Sequence, residues 1–168
     1  MREMTAMSTI WTLSGFVTDD PWDHKGDGTG KPVLSLSDAL AKSELSNDPI
    51  AVRIDPADDV SRLGPIIDRV VFVAVNFPAF NDGRAFSHAS LLRDRLGYGG
   101  EIRAIGAVLL DQVPFMLRVG IDSFAVSHEP TIRRLGERRL SGIDLHYQPT
   151  ARPSVVGDSY SWRRKSAS

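Results

Sequence analysis

Cysteine is missing from the chain. Its absence removes thiolate nucleophiles, cysteine-ligated iron–sulfur clusters, zinc knuckles and c-type haem attachment, and it gives no sign of an oxidising compartment. Long apolar runs are missing too: the longest, Val70 to Val75, has six residues, far short of the ~20 that a membrane-spanning helix needs. Nor is charge of one sign in excess. Twenty basic against twenty-one acidic residues leave a formal net charge of −1, so no global field favours nucleic acid or an anionic membrane as a partner. The start, Met1-Arg-Glu-Met-Thr-Ala-Met7, lacks the apolar stretch of a signal peptide, from which a cytoplasmic location is expected. What is present is a globular composition, 42% hydrophobic and 24% charged over 168 residues. A chain of this length buries roughly 70% of the surface it exposes when unfolded, so it needs neither disulfides nor a structural metal.

The expected organisation is a flexible start over 1–9, one α/β domain over 10–149 and a polar, Ser-rich tail over 150–168. Residues 19 to 32 combine Gly, Pro and Asp without periodicity and read as an exposed loop. Ile10–Val17 is expected to add an antiparallel edge, and Ser37–Leu45 an early helix. Four strand–helix units follow. Pro49–Ile54 reads as a strand, and Asp58–Arg69 as a partly helical crossover with Val60, Leu63, Ile66 and Ile67 inward, which Pro65 kinks or splits. Val70–Val75 reads as a fully buried strand. Ser87 is expected to cap a helix with Leu91, Leu92 and Leu96 as its stripe and Gly97 as its end. Glu101–Ile105 is a third strand. Asp111 is expected to cap the next helix, with Phe115, Met116 and Val119 inward and Gly120 closing it. Ile121–Val126 is a fourth strand, and a helix started near Pro130 carries Ile132, Leu135 and Leu140. Ile143, Leu145 and Tyr147 alternate with polar residues, as in an edge strand. Connections this short imply a parallel sheet with right-handed crossovers, either open and three-layered or curled like half a barrel.

In parallel α/β folds ligands gather at the carboxyl ends of the strands. The loop after the second strand is the richest there. It holds Phe77, Phe80, Asp82, Gly83 and Arg84 directly before Ser87. Arg84 is either a forked donor for a carboxylate, phosphate or sulfur oxyanion, or an ordinary tie to Asp82, Asp111 or Glu101. Several familiar motifs fail. Gly26-Asp-Gly-Thr-Gly-Lys-Pro32 has neither the spacing nor the hydroxyl of a P-loop, and a calcium loop read from Asp23 has Lys25 and Leu34 where acidic ligands belong. Histidines at 24, 88, 128 and 146 lack ligand spacing, so no metal is expected. No serine-hydrolase elbow or dinucleotide fingerprint occurs. The Arg133-Arg134, Arg138-Arg139 and Arg163-Arg164-Lys165 clusters read as a solvated helix face and tail.

The string Phe77-Pro-Ala-Phe-Asn-Asp-Gly-Arg-Ala-Phe-Ser87, with Leu91–Tyr98, Gly100–Ala104, Gly106 and Val108–Gln112, resembles the bacterial domain-of-unknown-function family nine-thirty-four. That family is commonly labelled an oxidoreductase of sulfite reduction, from its gene neighbourhood. Asp19-Asp-Pro-Trp22 and Tyr147-Gln148 resemble its outer marks. The resemblance makes Asp82, Arg84, Ser87, Arg93, Glu101, Arg103, Asp111 and Gln112 its polar signature, and implies a partner, sulfite reductase. The chain departs from the pattern at Ala85-Phe86, where Gly-Tyr is expected, and at Ala107, where Asp or Asn is.

Three readings follow. With no cysteine and no flavin, haem or nicotinamide motif, no cofactor is expected, and an accessory protein docking on sulfite reductase is the first reading. Arg84, Ser87, Arg103 and Gln112 would hold a small anion, and Phe80, Phe86 and Tyr98 would face the partner. The second is an enzyme for an anionic substrate, with Asp82 or Asp111 as general base. The third is a structural homo-oligomer such as a homodimer.

Overall fold

A computed structural model of the chain describes residues 8–137. The apolar run at Val70 forms an interior strand of a seven-stranded, mostly parallel sheet. Strand β1 is Thr9–Thr12, β2 Gly15–Val17, β3 Trp22–Asp23, β4 Lys31–Pro32 and β5 Leu34–Ser35. Then come α1 (Leu36–Leu45), β6 (Ile50–Ile54), a 3₁₀ crossover (Val60–Arg69) and β7 (Val70–Phe77). Helix α2 (Arg84–Ser90) runs into a π turn (Leu91–Arg95), followed by β8 (Glu101–Gly106), α3 (Val113–Arg118), β9 (Ser123–Val126) and α4 (Glu129–Gly136). The strand order is β2-β1-β9-β8-β7-β6-β5. Strands β5 to β9 are all parallel, and β1 closes on β9 antiparallel, with Ile10 opposite Ala125. The expected antiparallel edge is therefore present as the β1–β2 hairpin.

Neighbouring parallel strands taken in unbroken order, each joined by a right-handed crossover, keep their helices on one side. The core agrees. Ala39, Leu63, Ala89, Leu92, Met116 and Leu135 share one interior with Val52, Val73, Val75, Ile102 and Phe124 from one face of the strands. Of the two arrangements expected, the helices thus follow the half-barrel one, packed on one face of an open sheet rather than on both. Among the described residues no helix is long and apolar enough to cross a membrane.

Local chemistry explains the helix ends. Gly64-Pro65 denies α geometry to the crossover, which runs as 3₁₀ turns with Val60 and Leu63 buried and the Asp59 carboxylate accepting Ser61 N–H. Gly97 and Gly120 end their helices at φ +63° and +93°, a left-handed conformation that a Cβ opposes. Two caps differ from expectation. Helix α2 starts at Arg84, so Ser87 lies inside it, and Asp82 Oδ1 accepts the Arg84 N–H instead. Helix α3 starts at Val113 with Gln112, not Asp111, at the cap position. That later start turns the buried stripe to Val113 and Met116 and leaves Phe115, expected inward, 52% exposed.

The second face of the sheet carries Ile10, Ala51, Phe72, Ala74, Ile105 and Ala125. The loop expected to be exposed at 19–32 is exposed over 25–32, whereas Asp20, Trp22 and His24 are half-buried and Asp23 is buried. Trp22 and Val33 pack on this face, and the segment between them forms a strap over it. Asp23 organises the strap by accepting N–H groups from Gly26 (2.7 Å), Asp27 (3.0 Å) and Gly28 (2.7 Å). Gly30 lets β4 lie against β3, because a Cβ there would stand 2.9 Å from the Pro21 carbonyl oxygen. Leu140, the alternation at 143–148, both distal arginine clusters and the tail lie outside the described residues, as does 1–7.

Candidate functional site

At the carboxyl ends of the strands, polar side chains bind one another. Arg53 Nε and Nη2 donate to Asp55 Oδ2, Asn76 Nδ2 donates to Asp55 Oδ1 at 2.8 Å, and the Asp55 N–H donates to Asp58. After β7, Arg84 grips Asp82 with two parallel bonds, Nε to Oδ1 at 3.0 Å and Nη2 to Oδ2 at 2.7 Å. Those bonds hold the Asp82 carboxyl at about 2. A carboxylate of so low a proton affinity is a poor general base at neutral pH. The Arg84 side chain is 62% exposed, and nothing among the described residues bonds its Nη1. Gln112 Nε2 donates to the Phe80 carbonyl at 2.6 Å and so ties the loop after β7 to the loop after β8. Asp111 is exposed in that second loop.

The structure brings Phe80, Asp82, Arg84 and Gln112 to this rim and sends the other candidates elsewhere. Ser87 lines an open groove of about 530 Å³ with Phe86, Ser90, Asp94 and Arg95, and Arg84 is not among its lining residues. Phe86 is half-buried, edge-on to Phe77 at 5.1 Å. Tyr98, only 5% exposed, is interior: its hydroxyl donates to the Glu101 carbonyl, and burial pushes the phenol pKa up. Beside the rim, His88 of α2 is buried, and its Nδ1 has no hydrogen-bond partner among the described residues. Desolvation holds its imidazole below the ordinary value, against the pull of Asp58.

Arg93 acts at the opposite end of the sheet. Its guanidinium donates to the carbonyls of Tyr98, Gly100 and Gly120 and to Asp122 Oδ2 at 2.7 Å, and its stem packs on Gly120. Asp122 Oδ2 also accepts the Ile102 N–H. This is a staple for two loops rather than a receptor.

Arg103 is the third centre, charged and almost wholly buried, at 2% exposure. It points to the second face, under the strap. Nη1 donates to Asp20 Oδ2 at 2.6 Å, Nη2 to Glu101 Oε1 at 2.9 Å and Nε to Ser123 Oγ at 3.1 Å. Its Cζ lies 4.8 Å from the centre of the Phe72 ring. His24 Nδ1 is 3.4 Å from Nη1, and burial, then the Arg103 charge, hold that imidazole below its ordinary value. Asp20, His24 and Ser123 were not legible as partners from sequence. The signal was Arg103 itself, a charge between Ile102 and Ala104 in a buried strand, which burial obliges to find counter-charges.

Among the described residues no cluster of His, Asp and Glu could hold a metal ion. The Asp23 carboxylate, read above against a calcium loop, is taken up by backbone N–H groups, chiefly that of Gly28, which lower its pKa. No curated protein and no solved structure matches the chain. A family described as bacterial protein of unknown function (DUF934) matches residues 51–155, from β6 onward. That span covers most of the chain and includes the Asp82–Arg84 pair, the Arg93 staple and Arg103, so the protein belongs to this bacterial family.

Proposed function

We propose that the protein is an accessory component of assimilatory sulfite and sulfate reduction, which docks on sulfite reductase through the rim at the carboxyl ends of β7 and β8. The observation that carries this reading is Phe80, a phenylalanine 67% exposed on a loop that the Gln112 bond holds in place. A large apolar side chain on a fixed loop is suited to being an interface anchor, because little ordering cost remains to be met on binding. Phe115 on helix α3, with Arg118 Cζ 5.5 Å from its ring centre, extends the patch, and Arg84 flanks it. Aromatic residues and arginine are the types enriched at such surfaces. The identity of the partner rests on the family's sulfite-reduction label alone. The open Nη1 of Arg84 is the point at which a small oxyanion would be held.

The test is co-purification with sulfite reductase at moderate salt, using the full chain and its Phe80→Ala, Phe115→Ala and Arg84→Ala variants. Retention of the wild type with loss in Phe80→Ala supports docking at this rim. Failure of the wild type, or equal retention of all four proteins, overturns it. The enzyme reading has less to stand on, since Asp82 is saturated by Arg84 and the groove beside α2 does not include that pair.

A further inference from the structure

Two different sets of partners hold the Arg103 guanidinium. Nε and Nη2 bond to Ser123 and Glu101, which belong to the sheet, and Ser123 Oγ donates to the same Glu101 oxygen at 2.5 Å. That half is fixed by the strands. Among the described residues Nη1 reaches Asp20 and His24 alone, both of the strap. The strap makes a second anchoring contact two residues on, where the Trp22 indole stacks on Phe72 with ring centres 4.8 Å apart and planes 19° from parallel. Lys31 Nζ lies 5.6 Å from the centre of that indole. Beside Phe72 the face is floored by Ala51 on the neighbouring strand and Ala74 two residues on, small side chains that leave room for a flat ring.

The geometry points to a binding site for an aromatic carboxylate on this face of the sheet, occupied here by the chain's own Asp20 and Trp22. A free ligand with a carboxylate a few bonds from an arene makes the same pair of contacts, oxygen on Nη1 and ring on Phe72. The exchange conserves charge. With the strap lifted, Arg103 and Glu101 remain as a paired cation and anion, and one incoming carboxylate restores the charge that Asp20 supplied. The strap can leave as a body, because its internal bonds, from Asp23 to three backbone N–H groups and from the Lys31 N–H to the Pro21 carbonyl, do not involve the sheet. The apparent affinity is then the intrinsic one reduced by the fraction of molecules whose strap is open. The site uses neither Phe80 nor Arg84, so it stands or falls separately from docking at the rim.

The probe is indole-3-acetate, titrated calorimetrically into the full chain and into an Asp20→Asn/Trp22→Ala variant, which unseats the strap. The variant is expected to bind at least tenfold more tightly than the wild type, and Arg103→Met in that background to abolish binding. A folded variant that binds no more tightly, or binding that survives Arg103→Met, overturns the proposal. If the double variant loses its circular dichroism signature, the wild type decides. Saturating indole-3-acetate should shift the NMR signals of the Arg103 Nε–H and the Trp22 indole N–H while leaving those of Trp11 in place, and no shift overturns the site. An equal response to plain acetate overturns its aromatic selectivity.

Discussion

Replacing Arg93 with Met should destabilise the fold more than any change at the exposed arginines. The side chain is only 6% exposed and donates to three carbonyls and one carboxylate. Methionine keeps the stem that packs on Gly120 and removes every donor. Breaking a buried ion pair by deleting one partner costs about 3–5 kcal/mol, and each buried carbonyl left without a donor costs about 1–3 kcal/mol where water cannot reach it. Two features moderate the sum. Asp122 is 24% exposed, so water can reach it, and its Oδ2 retains the Ile102 N–H. A loss of about 3–5 kcal/mol is therefore expected, a large share of the ~5–15 kcal/mol that holds a domain folded. Urea melts read it directly, provided the slope is unchanged. Hydrogen exchange adds a local readout, because the Ile102 N–H should lose protection once Asp122 is no longer held in place. Arg93→Lys should recover part of the loss, since an ammonium keeps the charge but cannot span both loops. A loss below about 1 kcal/mol for Arg93→Met, or full recovery with Lys, would refute the staple.

Other expectations are equally direct. The Asp82 carboxyl should titrate near 2 in a ¹³C NMR experiment and move back toward the ordinary aspartate range in Arg84→Ala; a midpoint that ignores the substitution contradicts the bidentate pair. Both His24 and His88 have lowered pKa values in the folded chain, so the unfolded chain takes up protons first. Their contribution is complete above the unfolded value of ~6.5 and is lost as pH falls below it. The urea midpoint should therefore drop between pH 7.5 and 5.5, a window in which ordinary carboxylates do not titrate, and His24→Gln/His88→Leu should flatten the dependence. His88→Leu alone should raise stability by about 1 kcal/mol by removing a buried, unpartnered nitrogen, and a fall would show that the nitrogen has a partner. Gly30→Ala should cost about 1–3 kcal/mol through collision with backbone at Pro21 and Asp23, whereas Gly99→Ala, with nothing within 4 Å, should leave the melt unchanged.

The parallel sheet was legible because its signals are local. Val70–Val75 is too short for a buried helix and too apolar for a surface strand, and Gly97 and Gly120 mark ends where only glycine is comfortable. The helix caps were less legible, since Asp82, Ser87, Asp111 and Gln112 all offer capping chemistry within a few residues of the true starts. The cap at α3 lies one position later than expected, and Phe115 faces outward. At the candidate site, the Asp82–Arg84 pair is two residues apart and could be foreseen as one of two outcomes. The Asp20–Arg103 pair spans 83 positions. No periodicity encodes such a contact; it exists because a strap with no helical or strand pattern of its own supplies the cover that the second face would otherwise lack.

The pairing of Ile10 with Ala125 places the first strand of the sheet beside the last. During synthesis Trp11 therefore emerges long before Phe124, the ring it meets at 5.8 Å. The hairpin at the amino end must stay unsatisfied while nearly all of the sheet is being translated, which exposes a hydrogen-bonding edge at the stage when a nascent chain is most prone to aggregate. Contacts so distant along the chain also slow folding, so premature termination anywhere before β9 would strand an apolar ribbon with no docking edge.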